Sequence, residues 1–172
     1  MNVIKKFIRF LQQDNKFVEK FCIGMNSYVD KDKDLHIIMI DYDDLSKQEV
    51  IKDVHRLQEI WKLGKADLFS TTKGYHIFFF FDFVPYSFLK LIIESSRADK
   101  MYKYISRFYQ YKTIRVSGKY RELDIKFIRR IASTSRTYIP DYDYQIGEMK
   151  RAEYLNLRRL HNIINPDIQG EE

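Results

Sequence analysis

The apolar run Leu35-His-Ile-Ile-Met-Ile40, which stops abruptly at Asp41-Tyr-Asp-Asp44, constrains the fold more than any other segment. A compact β-branched run of this length reads as a buried strand. The acids that follow must then emerge at the end of a sheet. Ser46, with Glu49 three residues on, has the form of a capping box, and Val50, Ile51, Val54, Leu57, Ile60 and Trp61 continue at helical spacing until Gly64. A strand that runs through acids into an amphipathic helix is a β-α unit.

Asp67 to Ser70 and Tyr75 to Phe83 read as two strands around a Thr-Thr-Lys-Gly turn, with Phe78 to Phe81 and Trp61 assigned to the core. Tyr86 to Gln110 reads as helix broken near Ser95, following Pro85. Thr113 to Ser117 and Arg121 to Ile128 flank Gly118 and read as a further strand pair. Residues 1–30 are expected to form an N-terminal helical segment, with two short helices between Val3 and Met25, and residues 148–165 a C-terminal helix. The expected architecture is α+β: a single domain, residues 1–172, with a central mixed or antiparallel sheet covered by helices.

With 172 residues and 16% aromatic side chains, the chain can bury a real core. The lone Cys22 excludes an internal disulfide, and the longest apolar stretch, Ile77 to Phe81, is far too short to span a bilayer. A cytoplasmic protein with no membrane partner is expected. The net charge of +6 favours polyanionic partners, since lysine and arginine release counterions from phosphates.

Three constellations could carry chemistry, and each also has a plainer structural reading. Asp41 and Asp43 alternate along an extended backbone onto one face, where two carboxylates repel unless a cation joins them; hard oxygens of this kind suit Mg²⁺ or Mn²⁺. The plainer reading is a solvated acidic turn. Ser70-Thr-Thr-Lys-Gly-Tyr-His76 is a hydroxyl-rich turn whose amides, with Lys73 and His76, could face phosphate oxygens. Its alternative is an ordinary hairpin turn with an interior histidine. Asp124, in Leu-Asp-Ile, would complete a carboxylate set if its strand neighbours the first; otherwise it is an edge residue paired with Lys126 or Arg121. Arg115, Lys119 and Arg121, among Tyr109, Tyr111 and Tyr120, form a cationic and aromatic cluster suited to a nucleic-acid strand, or a solvated face.

The order Asp41-x-Asp43, then a small residue-x-His76 element, then hydrophobic-Asp124 resembles the three signature motifs of the archaeo-eukaryotic primase superfamily. The resemblance spans most of the chain. It implies an RRM-like catalytic core that performs two-metal, template-directed nucleotidyl transfer, as a DNA primase or primase-polymerase. On that basis Asp41, Asp43 and Asp124 would hold Mg²⁺ or Mn²⁺, while Ser70, Lys73, His76 and a later basic residue, Arg136 or Arg130, would bind the nucleotide. The implied ligands are nucleoside triphosphates and a single-stranded DNA template, with a helicase or accessory primase subunit as the partner a bare core needs. The single cysteine and four histidines of the chain form no zinc-ligand cluster of the kind many primases carry. Two other classes use overlapping residues: an initiator or accessory protein that binds nucleic acid without catalysis, and a metal-dependent nuclease.

Overall fold

The computed structural model describes residues 24–115 and 125–133, together with Met149. The helices expected before Gly24 and over 148–165, the strand segment holding Lys119, Arg121 and Asp124, and the loop holding Arg136 lie outside those residues, Met149 apart.

The described chain is α+β. Its elements run β1 (Gly24–Asn26), β2 (Tyr28–Asp30), β3 (Leu35–Asp43), α1 (Lys47–Trp61), β4 (Ala66–Ser70), β5 (Gly74–Val84), α2 (Tyr86–Ser95), α3 (Lys100–Ile105), β6 (Thr113–Arg115) and β7 (Lys126–Ile131). Five strands form one sheet in the order β2-β3-β5-β4-β7, every neighbouring pair antiparallel. β3 and β4 therefore run parallel, joined through α1 with β5 inserted between them, which is a split β-α-β unit.

Helix α1 begins at Ser46 with both halves of the capping box: Glu49 N–H donates to Ser46 Oγ, and Ser46 N–H donates to Glu49 Oε2. It ends at Lys62 in the left-handed conformation, not at Gly64. Gly64 instead uses its N–H on the Asp82 carboxylate. Val50, Val54 and Leu57 bury one helix face, whereas Ile60, expected on that stripe, is exposed. The buried face lies on the sheet side carrying Ile38, Ile40 and Tyr42, and the phenol of Tyr42 donates to Asp53 at 2.9 Å. Asp53 is itself buried and also accepts from Arg56 and from the backbone N–H of Arg97. One carboxylate thereby joins α1, β3 and the α2–α3 link.

Three expectations are corrected. Residues 24–30 are strand, not helix. β1 pairs with β6, placing Met25 opposite the buried Ile114, and β2 pairs with the start of β3. The described parts of the expected 113–117 and 121–128 pair, β6 and β7, belong to different sheets: β6 pairs with β1, while β7 adds to the far side of β4. The helical stretch after Pro85 ends at Ile105, short of Gln110. The break near Ser95, the β4–β5 hairpin and the burial of Phe78 to Phe81 are as expected. A full phenylalanine burial contributes on the order of 2 kcal/mol, which makes this run the main anchor of the central strand. No helix of the described residues is long and apolar enough to cross a membrane.

At the β2–β3 corner, Ser27 Oγ lies 2.8 Å from His36 Nδ1, and His36 Nε2 lies 3.0 Å from Asp34 Oδ1. Burial holds the imidazole below its ordinary value, against the opposing pull of Asp34. Because the folded value is the lower one, the unfolded chain takes up the proton more readily, and this stability is present above about pH 6.5 and lost on acidification below it. Urea unfolding across pH 7.5 to 5.5 should show a falling midpoint. His36→Asn should be less stable at the upper pH and show a shallower fall; an unaltered slope would count against the corner as its source.

Candidate functional site

The antiparallel register of β3 and β5 sets Asp41 opposite His76 and Asp43 opposite Gly74. Residues directly opposite share a face, as do residues two apart on one strand, so Met39, Asp41, Asp43, His76 and Phe78 all lie on the side away from α1. His76 Nε2 sits 3.2 Å from Asp41 Oδ1. His76 is 6% exposed, and among the described residues its Nδ1 is a buried polar atom with no hydrogen-bond partner. Such orphaned atoms are rare in folded interiors and mark places where a ligand, water or ion completes the set.

The electrostatics around Asp43 run the same way. Its carboxyl is pushed above the usual aspartate value, first by burial and then by the neighbouring charges of Asp41, Asp99 and Asp44, with His76 opposing. Several carboxylates at one strand end, one of them reluctant to ionise, form a site that a cation would relax. Asp44 adopts a left-handed backbone (φ 58°) as the strand ends. Among the described residues, no group of three or more histidine, cysteine or acidic side chains is close enough to hold a metal ion unaided. Asp41 and Asp43, with the imidazole beside them, supply a partial set of hard ligands.

The free edge of β3 is closed from the other side. Among the described residues β2 pairs with it at Leu35 and His36, and beyond them Asp99 N–H donates to Asp41 O at 2.9 Å while the Tyr102 hydroxyl donates to Met39 O at 2.7 Å. Lys112 lies behind this edge, almost fully buried, with its ammonium donating to Tyr102 O at 2.7 Å and lying 3.8 Å from the Tyr102 ring centre. Burial lowers its value to about 8, and the charge of Asp41 resists that shift. Sequence reasoning missed Asp99 and Lys112. Asp99 carries a readable signal, since it caps α3 by accepting from Tyr102 N–H. Lys112 has none, because nothing in its local sequence distinguishes a buried lysine from an exposed one.

The remaining predicted residues divide. Lys73 is exposed at the hairpin turn, one residue beyond Gly74, at the same sheet end as Asp43. The amides expected to cradle phosphate are occupied: Thr71 Oγ1 accepts from both Lys73 N–H and Gly74 N–H. Ser70 pairs with Tyr75 and therefore faces the opposite side of the sheet from His76, with its hydroxyl donating to Lys126 O. Arg130 is committed to the buried Asp67 by two contacts, 2.6 Å and 3.1 Å, and its guanidinium lies near the Phe81 ring. Arg115 is exposed on β6. β7 is separated from β3 by β5 and β4, roughly 14 Å at ordinary strand spacing. The strand after Asp124 thus does not neighbour the Asp41 strand. Its first residue, Lys126, is level with Ser70, at the sheet end where Asp43 lies. Asp124, Arg136, Lys119 and Arg121 lie outside the described residues.

Ser27, His36 and Asp34 imitate the order of a nucleophilic triad, but Ser27 and His36 are wholly buried and Ser27 Oγ already accepts from Lys112 N–H at 3.0 Å. A nucleophile must reach substrate. These three residues lock the β2–β3 corner to β6.

No family model matches the chain, and neither a curated protein nor a solved structure is significantly similar to it.

Two substitutions probe this framework. A Cβ on Gly74 would stand 1.9 Å from the Tyr42 carbonyl oxygen, so Gly74→Ala must part the two strands beside Asp43. A loss of about 2 kcal/mol or more in chemical unfolding is expected, with an unchanged midpoint counting against the close approach. Arg130→Ala leaves Asp67, at 2% exposure, without its guanidinium partner. Its expected cost is about 3 kcal/mol, and little effect on stability would free Arg130 for a role at the site.

Proposed function

We propose that this chain is a metal-dependent nucleotidyltransferase of the primase-polymerase type, working on single-stranded nucleic acid. The observation that carries the reading is the placement of Asp41, Asp43 and His76 on one sheet face, with Asp41 and His76 3.2 Å apart. These residues come from two of the three motifs that resemble the archaeo-eukaryotic primases. They are separated by α1 and β4 in the chain and are joined by strand register.

The residues fit a hard divalent ion, Mg²⁺ or Mn²⁺. Two carboxylates offer oxygen ligands, the burden of negative charge on Asp43 calls for a cation, and the Nε2 of His76 lies beside Asp41. Bound there, the ion would supply Lewis-acid charge that acidifies an attacking 3′-hydroxyl and offsets charge on the triphosphate. Asp124 is the proposed third carboxylate, reaching the site from the segment that precedes β7. His76, held by Asp41, would orient a phosphate oxygen, and Lys73 at the turn would add a positive charge at the rim. Arg136 is the proposed later basic residue, since Arg130 is engaged by Asp67.

A second reading, a metal-dependent nuclease, is favoured by one specific observation. The turn amides are spent on Thr71 and Ser70 faces away, so the triphosphate cradle is sparse, whereas strand cleavage needs only the ion and its carboxylates.

Purified protein incubated with primed and unprimed single strands, labelled nucleotides and Mg²⁺ or Mn²⁺ separates these readings. Strand extension or new primers are expected, with Asp41→Asn and Asp43→Asn each reducing the rate at least about a hundredfold and weakening Mn²⁺ binding followed by electron paramagnetic resonance. Strand shortening without incorporation establishes the nuclease. Full activity in either aspartate variant removes the site from the mechanism.

A further inference from the structure

The outer face of α3 and the segment after it are built unlike the rest of the surface. Met101, Tyr104, Ile105 and Phe108 recur at helical spacing, yet they point outward: Tyr104 is 54% exposed and Phe108 is 66% exposed. The opposite side of the same helix carries the buried Tyr102, so the helix is anchored through one aromatic ring and presents others to solvent. Tyr104 and Phe108 stand edge to face with centroids 5.0 Å apart, and Tyr109, 57% exposed, continues the row towards Tyr111 at 6.3 Å.

Charge identifies what such a face would take. From Lys100 to Arg115 the chain carries Lys100, Lys103, Arg107, Lys112 and Arg115 and no carboxylate. Lys103 Nζ donates to the carbonyl oxygens of Glu94 and Ser96, neutral groups that leave its charge uncancelled. Asp99 turns its carboxylate onto Tyr102 N–H, and Glu94 is the acid that meets Arg107. Arg107 is paired with Glu94 and Lys112 is buried, which leaves Lys100 and Lys103 on α3 as the cations of this face; separated flat rings with such cations suit a ligand with stackable planar groups on a polyanionic backbone. A lipid surface would be better met by a longer helix with a continuous aliphatic face; α3 spans Lys100–Ile105 and its exposed rings are mostly tyrosine.

We propose that the α3 face, Tyr104, Phe108 and Tyr109 with Lys100 and Lys103, is a stacking platform for single-stranded nucleic acid. The platform is fixed to the candidate site by backbone: Asp99 N–H, at the head of α3, donates to the carbonyl of Asp41 at 2.9 Å, and Tyr102 holds the carbonyl of Met39. A strand stacked on α3 is thus held in register with the strand that carries Asp41 and Asp43. The platform deepens the proposed function by naming the template surface, and it rests on that reading only for what happens to the strand once bound.

Fluorescence anisotropy with a labelled oligothymidylate of about 16 nucleotides, at about 0.1 M salt and without divalent ions, tests it. Tyr104→Ala and Phe108→Ala should each weaken binding about tenfold. Tyr104→Phe, which keeps the ring, should bind as the unaltered protein does. Phe88→Ala, at an exposed ring on α2, should bind normally and serves as the control for general stickiness. All three rings lie largely outside the core, and circular dichroism melting verifies that the four variants remain folded. A loss under threefold in both alanine variants overturns the platform, as does duplex DNA binding as tightly as the single strand. Phosphatidylserine vesicles that bind more tightly than the oligonucleotide, and lose that binding in the same variants, overturn it in favour of a membrane surface. If the alanine variants lose strand binding while the unaltered protein transfers no nucleotide, the platform stands and the catalytic reading falls.

Discussion

The pairing of β3 with β5 is the interaction on which the rest of the described structure depends. It is the most extensive strand contact, running from His36 opposite Val84 to Asp43 opposite Gly74. A slip of one residue would send Asp41 and His76 to different faces and expose the isoleucines that meet α1. Two features fix the start of β5. The hairpin turn is closed by Thr71, whose N–H donates to Gly74 O and whose hydroxyl accepts from Gly74 N–H. At the same position the backbones approach so closely that no side chain fits on Gly74. Further along, Phe80, Phe81 and Asp82 are interposed between Phe79 and Phe83, the partners of Ile38 and Ile37. That bulge releases Asp82 to hold the amide of Gly64 after α1. The register, the end of the helix and the position of the acids are therefore one geometric problem with one solution.

Charged groups serve this framework in two distinct ways. Asp53 and Asp67 are buried and richly partnered: Asp53 gathers Tyr42, Arg56 and Arg97, and Asp67 holds Arg130 across the β4–β7 pair. Their carboxylates are satisfied, and a satisfied buried acid reports architecture. Asp41 and Asp43 differ. Asp41 has the imidazole beside it, while Asp43 is surrounded by further acids, and no arginine or lysine comes within salt-bridge distance of either in the described structure. Acids left with like-charged neighbours while cations are spent elsewhere are a stability cost that a framework alone has no reason to carry.

How much of this was legible in the sequence follows from the range of the forces involved. The strand ending at Asp43, the capping box at Ser46, the hairpin at Thr71 to Gly74 and the helix break near Ser95 are local, written in contiguous runs and caps, and each was readable. Strand partnership was not. The segment over 24–30 has little apolar alternation to distinguish it from a helix end, and its strand character comes from partners far along the chain, Thr113 to Arg115 and His36. The attachment of β7 to β4 follows the same rule: Asp67 opposite Arg130 and Phe69 opposite Phe127 are matches between distant residues. Of the candidate site, the shared face of Asp41 and Asp43 was legible because strand alternation fixes faces, whereas His76 was joined to them only by the motif order that resembles the primases. The diversion of Arg130 and the turning away of Ser70 were not, because a guanidinium's choice of carboxylate and the facing of a strand end depend on which strands are neighbours.

The position of β7 also bears on how a third carboxylate could join the first two. At the far edge of the sheet, the strand cannot bring an acid to Asp41 through cross-strand adjacency, as a neighbouring strand would. Yet its first residue is level with Ser70, Ser70 with Tyr75 and Tyr75 with Tyr42, so the chain enters β7 at the sheet end where Asp43 and Lys73 lie. Ile125, just before it, is buried and fixes that entry. On the proposed function, Asp124 would have to reach Asp41 across that end of the sheet, over the hairpin turn, and not along its face. Among the described residues, strand pairing brings Asp41, Asp43 and His76 to one face, and by itself it gathers no group that could hold a metal ion unaided.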